Sequence, residues 1–150
     1  MIKRLMRILA ACIGLAGPAT LAYAGLFSAT GQVIAILAGD LFVGEAEGHL
    51  SGAGTLAISS QRDPALTCIG QFTSSAELGG SGQMQCSDGA SAAFHFQRLS
   101  IYRGYGAGVF SRGSMSFAYG LTAEEAGAYR TLSKGKKLTL DGTVLTLVDL

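Results

Sequence analysis

Apolar and polar residues alternate along the centre of the chain, from Ser51 to Gly120, in short runs separated by turn-forming residues. Alternation with a period of two is typical of β-strands that bury one face. Three Gly-x-Gly triplets, which start at Gly52, Gly80 and Gly106, each open a run that turns once and returns. The pattern therefore predicts a meander of antiparallel β-hairpins.

The hairpin register can be tested, because directly opposed residues have numbers with a constant sum and one face must stay apolar. We place turns near Asp63, near Glu77 and at 88–90. The predicted opposed pairs are Ile58–Cys68, Leu56–Gly70, Gly54–Phe72, Cys68–Cys86, Gly70–Met84, Phe72–Gly82, Cys86–Ala92, Met84–Phe94 and Gly82–Phe96. All three turns give one apolar face, which consists of Leu56, Ile58, Cys68, Phe72, Met84, Cys86, Phe94 and Phe96.

The glycines acquire a packing role in this register. Gly82 lies between Phe72 and Phe96, and a turn at 112–113 would place Gly106 opposite Tyr119 and Gly108 opposite Phe117. A missing side chain leaves room for a neighbouring ring to cover the backbone. A phosphate-binding glycine loop would instead have to lead into a helix, whereas a strand pattern follows here.

The flanking segments complete a mainly β fold. Residues 27–50 read as a hairpin whose first strand is apolar on both faces, and Thr122 begins a capping box that predicts a short helix over 123–132. Residues 137–148 predict a second hairpin with the two-residue turn Asp141–Gly142. Because an open meander would leave long edges, we expect the hairpins to close into a small barrel, a flower or a curled sheet.

The N-terminus has the parts of a secretory signal peptide over residues 1–24, which leaves a single domain at 25–150. A basic start is followed by the apolar run 8–15 and by the small-x-small end Ala22–Ala24. We therefore expect export to the periplasm or the extracellular space. An alternative is a lipid anchor, because Leu9 to Cys12 resembles the acylation signal of bacterial lipoproteins, and only this alternative predicts a membrane attachment.

Cleavage after Ala24 would change the formal net charge from +1 to −2, because three basic residues and no acidic ones are removed. Nucleic-acid binding needs a concentrated positive surface, so no nucleic-acid partner is predicted. The same cleavage would leave Cys68 and Cys86 as the two remaining cysteines. An oxidising compartment and their opposed positions predict a structural disulfide between them.

Candidate binding residues cluster between positions 98 and 112. Tyrosine and arginine dominate binding hot spots, and this segment contains Arg98, Tyr102, Arg103, Tyr105 and Arg112. The alternative interpretation is that the arginines occupy turns and the tyrosines cover glycines in the sheet.

Two weaker candidates involve the histidines. Glu45, Glu47 and His49 would share one strand face and could hold a divalent metal, although an ordinary solvent-facing strand has the same pattern. His95 projects away from the apolar face and has no serine or acid motif beside it. No cofactor motif and no catalytic residue are predicted.

The succession of Gly-x-Gly, a Cys-containing strand, Ser87-Asp88-Gly89 and Phe94-x-Phe96 resembles small exported bacterial proteins of unknown function with β-flower-like or MORN-like hairpin repeats. The resemblance covers roughly residues 26–120 and departs from the repeat at Arg112-Gly113, which replaces Asp-Gly. It implies hairpin architecture and carries no catalytic residues.

We therefore expect a non-enzymatic envelope protein with a structural or partner-binding role. The alternative is a small β-barrel that binds an apolar ligand inside a cavity. A third alternative is a hydrolase that uses His49 or His95.

Overall fold

The computed structural model describes residues 28–75, 78–132 and 134–150. Eight antiparallel strands follow one another in chain order and close into a barrel, which confirms the predicted mainly β meander and selects the barrel among the expected forms. The strands are β1 (Ser28–Leu37), β2 (Asp40–His49), β3 (Ala53–Ser60), β4 (Thr67–Ser75), β5 (Gly79–Cys86), β6 (Ser91–Ser100), β7 (Arg103–Phe110) and β8 (Gly113–Tyr119). The proposed signal peptide and Cys12 lie outside the described residues.

The barrel closes between its first and last strands. β1 pairs with β2 on one side and with β8 on the other, where Val33 lies opposite Tyr119 and Leu37 opposite Met115. Closure pairs the edge strands of the meander with each other, so the sheet needs no other cover for its edges.

Alternation along the strands sends one set of side chains into the barrel, as the sequence predicts. The predicted pairings of β3 with β4 and of β4 with β5 are confirmed, including Ile58 opposite Cys68 and Cys68 opposite Cys86. Cys68 and Cys86 form a disulfide inside the barrel. The buried interior consists of Val33, Ala35, Leu37, Phe42, Leu56, Ile58, Cys68, Met84, Cys86, Ala90, Ala92, Phe94, Phe96, Phe110, Met115 and Phe117.

The predicted register of β5 with β6 is wrong by two residues. Met84 lies opposite Ala92, and Gly82 lies opposite Phe94 rather than Phe96. The loop explains the difference, because the amide of Gly89 donates to the carbonyl of Cys86 and Gly89 has φ +87°. This is the tight turn followed by a left-handed residue that three-residue hairpin loops adopt, and it centres the hairpin on Asp88.

The predicted register of β7 with β8 is also wrong by two residues. Gly106 lies opposite Phe117 and Gly104 opposite Tyr119, because the turn is formed by Ser111 and Arg112. A slip of two residues keeps every side chain on its predicted face. Ring cover is confirmed for Gly106, by Phe117 rather than Tyr119, and for Gly82, by Phe94 rather than Phe96. It is wrong for Gly108, which faces the backbone of Ala93 and the Cα and Cβ atoms of Phe94 rather than a ring.

The helix is shorter than the predicted 123–132. The capping box of Thr122 and Glu125 is present, but the α-helix α1 spans only Ala123–Ala126 and a 3-10 turn continues to Tyr129. Arg130 is extended, and its guanidinium donates to the carbonyls of Ala123 and Ala126. These carbonyls are satisfied by a side chain rather than by further helical backbone.

The last two strands form a separate hairpin, β9 (Lys136–Asp141) and β10 (Val144–Asp149). Its two-residue loop is Gly142–Thr143 rather than the predicted Asp141–Gly142, because Asp141 pairs directly with Val144. The hairpin and the helical turns form an apolar cluster with the outer faces of β1, β2 and β8. This outer cluster contains Ile34, Ile36, Leu41, Ala118, Leu121, Ala126 and Leu145, and it confirms that β1 is covered on both faces.

Candidate ligand-binding site

One end of the barrel is filled and the other holds a cavity. We call the end that contains the 38–39 and 87–90 loops the closed end, and the end that contains residues 50–52 and 101–102 the open end. At the closed end the interior is packed with the Cys68–Cys86 disulfide and apolar side chains. Towards the open end lies a cavity of about 640 Å³, a size typical of small-molecule sites.

Small residues on one wall create the cavity. Gly31 on β1 and Ala46 and Gly48 on β2 line it, and their missing or short side chains leave the space that larger residues would fill. A Cβ added at Gly48 would lie 3.8 Å from the ring of Phe72, which is ordinary contact, so this position has room for a side chain. The void is thus a consequence of residue size on β1 and β2.

Aromatic rings form the opposite wall. Phe96 packs edge-to-face between Phe72 and Tyr119, with ring centroids 5.5 and 6.0 Å away, and Phe94 packs in the same way on Phe117 at 5.3 Å. Edge-to-face packing fixes each ring against its neighbours, which makes the wall rigid and apolar. Leu56, Ile58 and Met115 complete the apolar lining.

A small polar group lies on this wall near the open end. Gly104 on β7 lies directly opposite Arg98 of β6 on one side and Tyr119 of β8 on the other. Because Gly104 has no side chain, Arg98 and Tyr119 face each other across β7. Nη2 of Arg98 donates to Oγ of Ser74 at 3.1 Å. Within the described residues, neither the Nε of Arg98 nor the hydroxyl of Tyr119 has a hydrogen-bond partner, although both atoms are buried.

Burial also changes the chemistry of Tyr119. Loss of solvent raises the pKa of its hydroxyl, and the guanidinium of Arg98 opposes this rise through its positive charge and as a nearby hydrogen-bond donor. The hydroxyl is therefore protonated at neutral pH and can donate a hydrogen bond. In this pair the guanidinium of Arg98 only donates, whereas the hydroxyl of Tyr119 can both donate and accept.

The charge of Arg98 is not balanced by the described residues. The described residues form four ion pairs, and none of them includes Arg98. These pairs are Arg62–Asp40, Arg103–Glu125, Arg112–Asp88 and Lys136–Asp149. The described residues that line the cavity include no aspartate or glutamate. The cavity therefore has a positive polar group on an otherwise apolar wall.

Exposed apolar side chains surround the open end. Leu50 is 74% exposed and Ile101 is 54% exposed, and both line the cavity entrance. Leu78 and Leu99, in or beside neighbouring loops of the same end, are exposed as well. An apolar molecule would thus meet apolar surface before it enters the barrel.

The structure separates the five predicted binding residues. Arg98 and Tyr102 line the cavity. Arg103 lies outside the barrel in an ion pair with Glu125, and Arg112 lies at the closed end in an ion pair with Asp88. Tyr105 is on the outer face, where it donates to Gln97 and stacks on Tyr129 with ring centroids 4.1 Å apart.

The histidine candidates do not assemble into a site. Glu45 and Glu47 lie on the outer face of β2, and His49 lies at its end, where it lines the open end of the cavity. The described residues contain no group of three or more potential ligands placed to hold a metal ion. His95 is exposed on the outer face of β6. In the described chain, neither histidine forms an ion pair or side-chain hydrogen bond with an acid.

Sequence reasoning missed Ser74 and Tyr119 as site residues, and it gave a ligand cavity only as the alternative. One signal was present, since Arg98 lies on the same alternation as Phe94 and Phe96. A charged residue on the inward face of a barrel strand is exceptional, because burying a charge is costly. That pattern alone indicates Arg98 as a candidate site residue.

Neither a protein-family model, nor a curated protein, nor a solved structure matches this chain. Across the described residues, no helix has the length and apolar character needed to cross a membrane.

Proposed function

We propose that this protein is an exported, non-enzymatic barrel that binds a small apolar ligand in its cavity. The observation that carries the proposal is the cavity of about 640 Å³ on the open side of a barrel whose other end is filled. Protein interiors normally pack as densely as organic crystals, so a void of this size is unusual in a purely structural barrel. The cavity therefore favours the ligand-binding alternative over a structural role.

The lining supports an apolar ligand. Most of the residues that face the cavity are aliphatic or aromatic, and the polar ones concentrate near the open end. A ligand that fills the space would restore the dispersion contacts that the void denies to Phe94, Phe96 and Met115. Ligand sites of this kind combine an apolar lining with a few polar groups that fix orientation.

Export is supported by two independent features. Residues 1–24 have the order of a signal peptide. The buried Cys68–Cys86 disulfide is the kind of bond that persists in an oxidising compartment. A lipid anchor at Cys12 remains the alternative for how the protein is held in the envelope.

The exposed apolar rim supports a second candidate function, the binding of an envelope protein at the open end. Leu50, Leu78 and Ile101 form part of this rim. Exposed apolar patches mark interaction sites as well as ligand entrances. A protein partner would cover the rim without needing the cavity, which makes the two candidates separable.

A cavity-filling substitution tests the ligand-binding proposal. Gly48→Leu adds a side chain into the cavity at a position where a Cβ fits, while Ala93→Leu adds the same bulk to the exposed outer face of β6. We expect the neutral apolar dye N-phenylnaphthylamine to bind wild type and Ala93→Leu equally, and Gly48→Leu at least about tenfold more weakly. Fluorescence titration measures this.

Equal dye binding by Gly48→Leu and wild type would place the dye outside the cavity and overturn the proposal. Failure of the dye to bind wild type would also overturn the proposal. Far-ultraviolet circular dichroism and thermal melts of each protein verify that the barrel is intact.

A further inference from the structure

We infer that the ligand is a monoanionic amphiphile of the fatty-acid type, whose carboxylate is bound at the open end by Arg98, with Ser74 and Tyr119 beside the guanidinium. The inference rests on the proposed ligand-binding function and adds the chemical class of the ligand. It comes from the polar group on the cavity wall, which an entirely apolar ligand would leave without partners.

The charge of Arg98 favours an anionic ligand. Arg98 is partly buried, lines the cavity and has a buried Nε without a described partner. Charges taken out of water are normally paired, because their desolvation is costly. Since no described carboxylate lines the cavity, an anionic ligand would supply the missing partner. One positive charge matches a ligand with one negative charge.

The hydrogen-bonding groups of Arg98 and Tyr119 favour an acceptor as the head group. A guanidinium only donates, and the hydroxyl of Tyr119 can accept one of its bonds but also has a proton to donate, so the pair has more donors than acceptors. Because Nε of Arg98 and the hydroxyl are themselves shielded, a carboxylate in the cavity would pair with the part of the guanidinium that lines it. Ser74 holds Arg98 through the bond to Nη2 and fixes the guanidinium on this wall.

The position of Arg98 along β6 gives the bound ligand a direction. Arg98 lies two residues nearer to the open end of β6 than Phe96, and Phe94 lies two residues deeper. A bound amphiphile would therefore place its head group beside Arg98 and its chain along the rings towards the closed end. The exposed apolar residues at the entrance are compatible with passage of the chain, and the filled closed end limits its length.

The test compares a carboxylate with a neutral head group on the same chain. Laurate and lauryl alcohol are titrated against the purified chain as displacers of N-phenylnaphthylamine, for wild type, Arg98→Met, Arg98→Lys and Arg112→Met. Arg98→Met keeps a long side chain and removes the charge, and Arg98→Lys restores the charge. Arg112→Met is the matched control, because Arg112 is an arginine at the closed end.

Wild type and Arg112→Met are expected to bind laurate about tenfold to a hundredfold more tightly than lauryl alcohol, the range for hydrogen bonds to charged groups. Arg98→Met should lose that preference, because its affinity for laurate falls to that for lauryl alcohol. Arg98→Lys should recover part of the preference. Circular dichroism and thermal melts of Arg98→Met verify that its barrel is intact.

Equal binding of laurate and lauryl alcohol by wild type would overturn the head-group assignment and leave the apolar binder standing. An unchanged preference in Arg98→Met would likewise overturn the role of Arg98. Failure of every protein to bind either compound would overturn both the inference and the proposed function.

Discussion

Replacement of Gly106 by alanine should destabilise the barrel, whereas the same replacement at Gly48 should not. Both glycines face the interior, and neither has a left-handed backbone conformation. A Cβ at Gly106 would lie 2.3 Å from the carbonyl oxygen of His95 and 2.4 Å from the ring of Phe117. A Cβ at Gly48 would meet only the ring of Phe72, at 3.8 Å.

The ring at Gly106 has no room to withdraw. Phe117 is buried and packs edge-to-face on Phe94 with centroids 5.3 Å apart, so a shift of one ring displaces the other. The other neighbour is backbone of β6, which the sheet hydrogen bonds hold in place. Overpacking of this kind lowers the free energy of unfolding by about 2 kcal/mol. Gly48→Ala should instead raise the free energy of unfolding by about 0.5 kcal/mol, because alanine restricts the unfolded chain.

Urea unfolding followed by circular dichroism measures the contrast. With an m-value of about 2 kcal/mol/M, the midpoint of Gly106→Ala should fall by about 1 M and that of Gly48→Ala should stay or rise slightly. Gly106→Ala with the stability of wild type would refute the claim that Phe117 needs the missing side chain. Equal destabilisation of both variants would show that strand glycines matter here for some reason other than ring cover.

Two further predictions concern the closed end. Reduction of the Cys68–Cys86 bond, which joins residues 18 apart, should lower the unfolding free energy by about 3 kcal/mol in urea titrations with and without reductant, because the denatured chain regains loop entropy. Acid should also lower the stability of the fold through Asp88, which lies at this end. A hydrogen bond from the amide of Ala90, and to a smaller extent Arg112, lower the pKa of Asp88 below its ordinary 3.8 in the folded protein. A lowered pKa stabilises the fold above the ordinary value, and this contribution is lost as pH falls through the folded pKa.

Each of these predictions has its own control. A Cys68→Ala/Cys86→Ala protein should be insensitive to reductant, and an equal response of this variant would assign the effect to the reductant itself. Asp88→Asn should show a smaller loss of stability than wild type between pH 5 and pH 2 in thermal melts. Identical pH profiles would mean that the carboxylate does not contribute to acid sensitivity.

Much of the fold follows from local sequence. Strand alternation, the hairpin predicted over 27–50, the capping box at Thr122 and the opposed positions of Cys68 and Cys86 are all present as predicted. Errors of register arose at the loops around Asp88 and Arg112. Several turn types fit such short polar segments, and they differ by two residues in the pairing that results.

The candidate site was only partly predictable. Of the predicted binding residues, Arg98 and Tyr102 line the cavity. Arg103 and Arg112 form ion pairs elsewhere, and Tyr105 donates to Gln97 on the outer face. Proximity in sequence grouped all five, but successive residues of a strand point to opposite faces. Hairpin geometry then sends the two ends of each strand to opposite ends of the barrel.

The amino-acid sequence by itself determined which side chains face inward, because a period of two and an apolar face constrain every strand locally. It also determined that Cys68 and Cys86 meet, because one short hairpin brings them together. Only the tertiary structure decided that the meander closes and that its open end is left hollow. Closure juxtaposes β1 and β8, more than 70 residues apart, and the size of the void depends on the side chains of all eight strands at once.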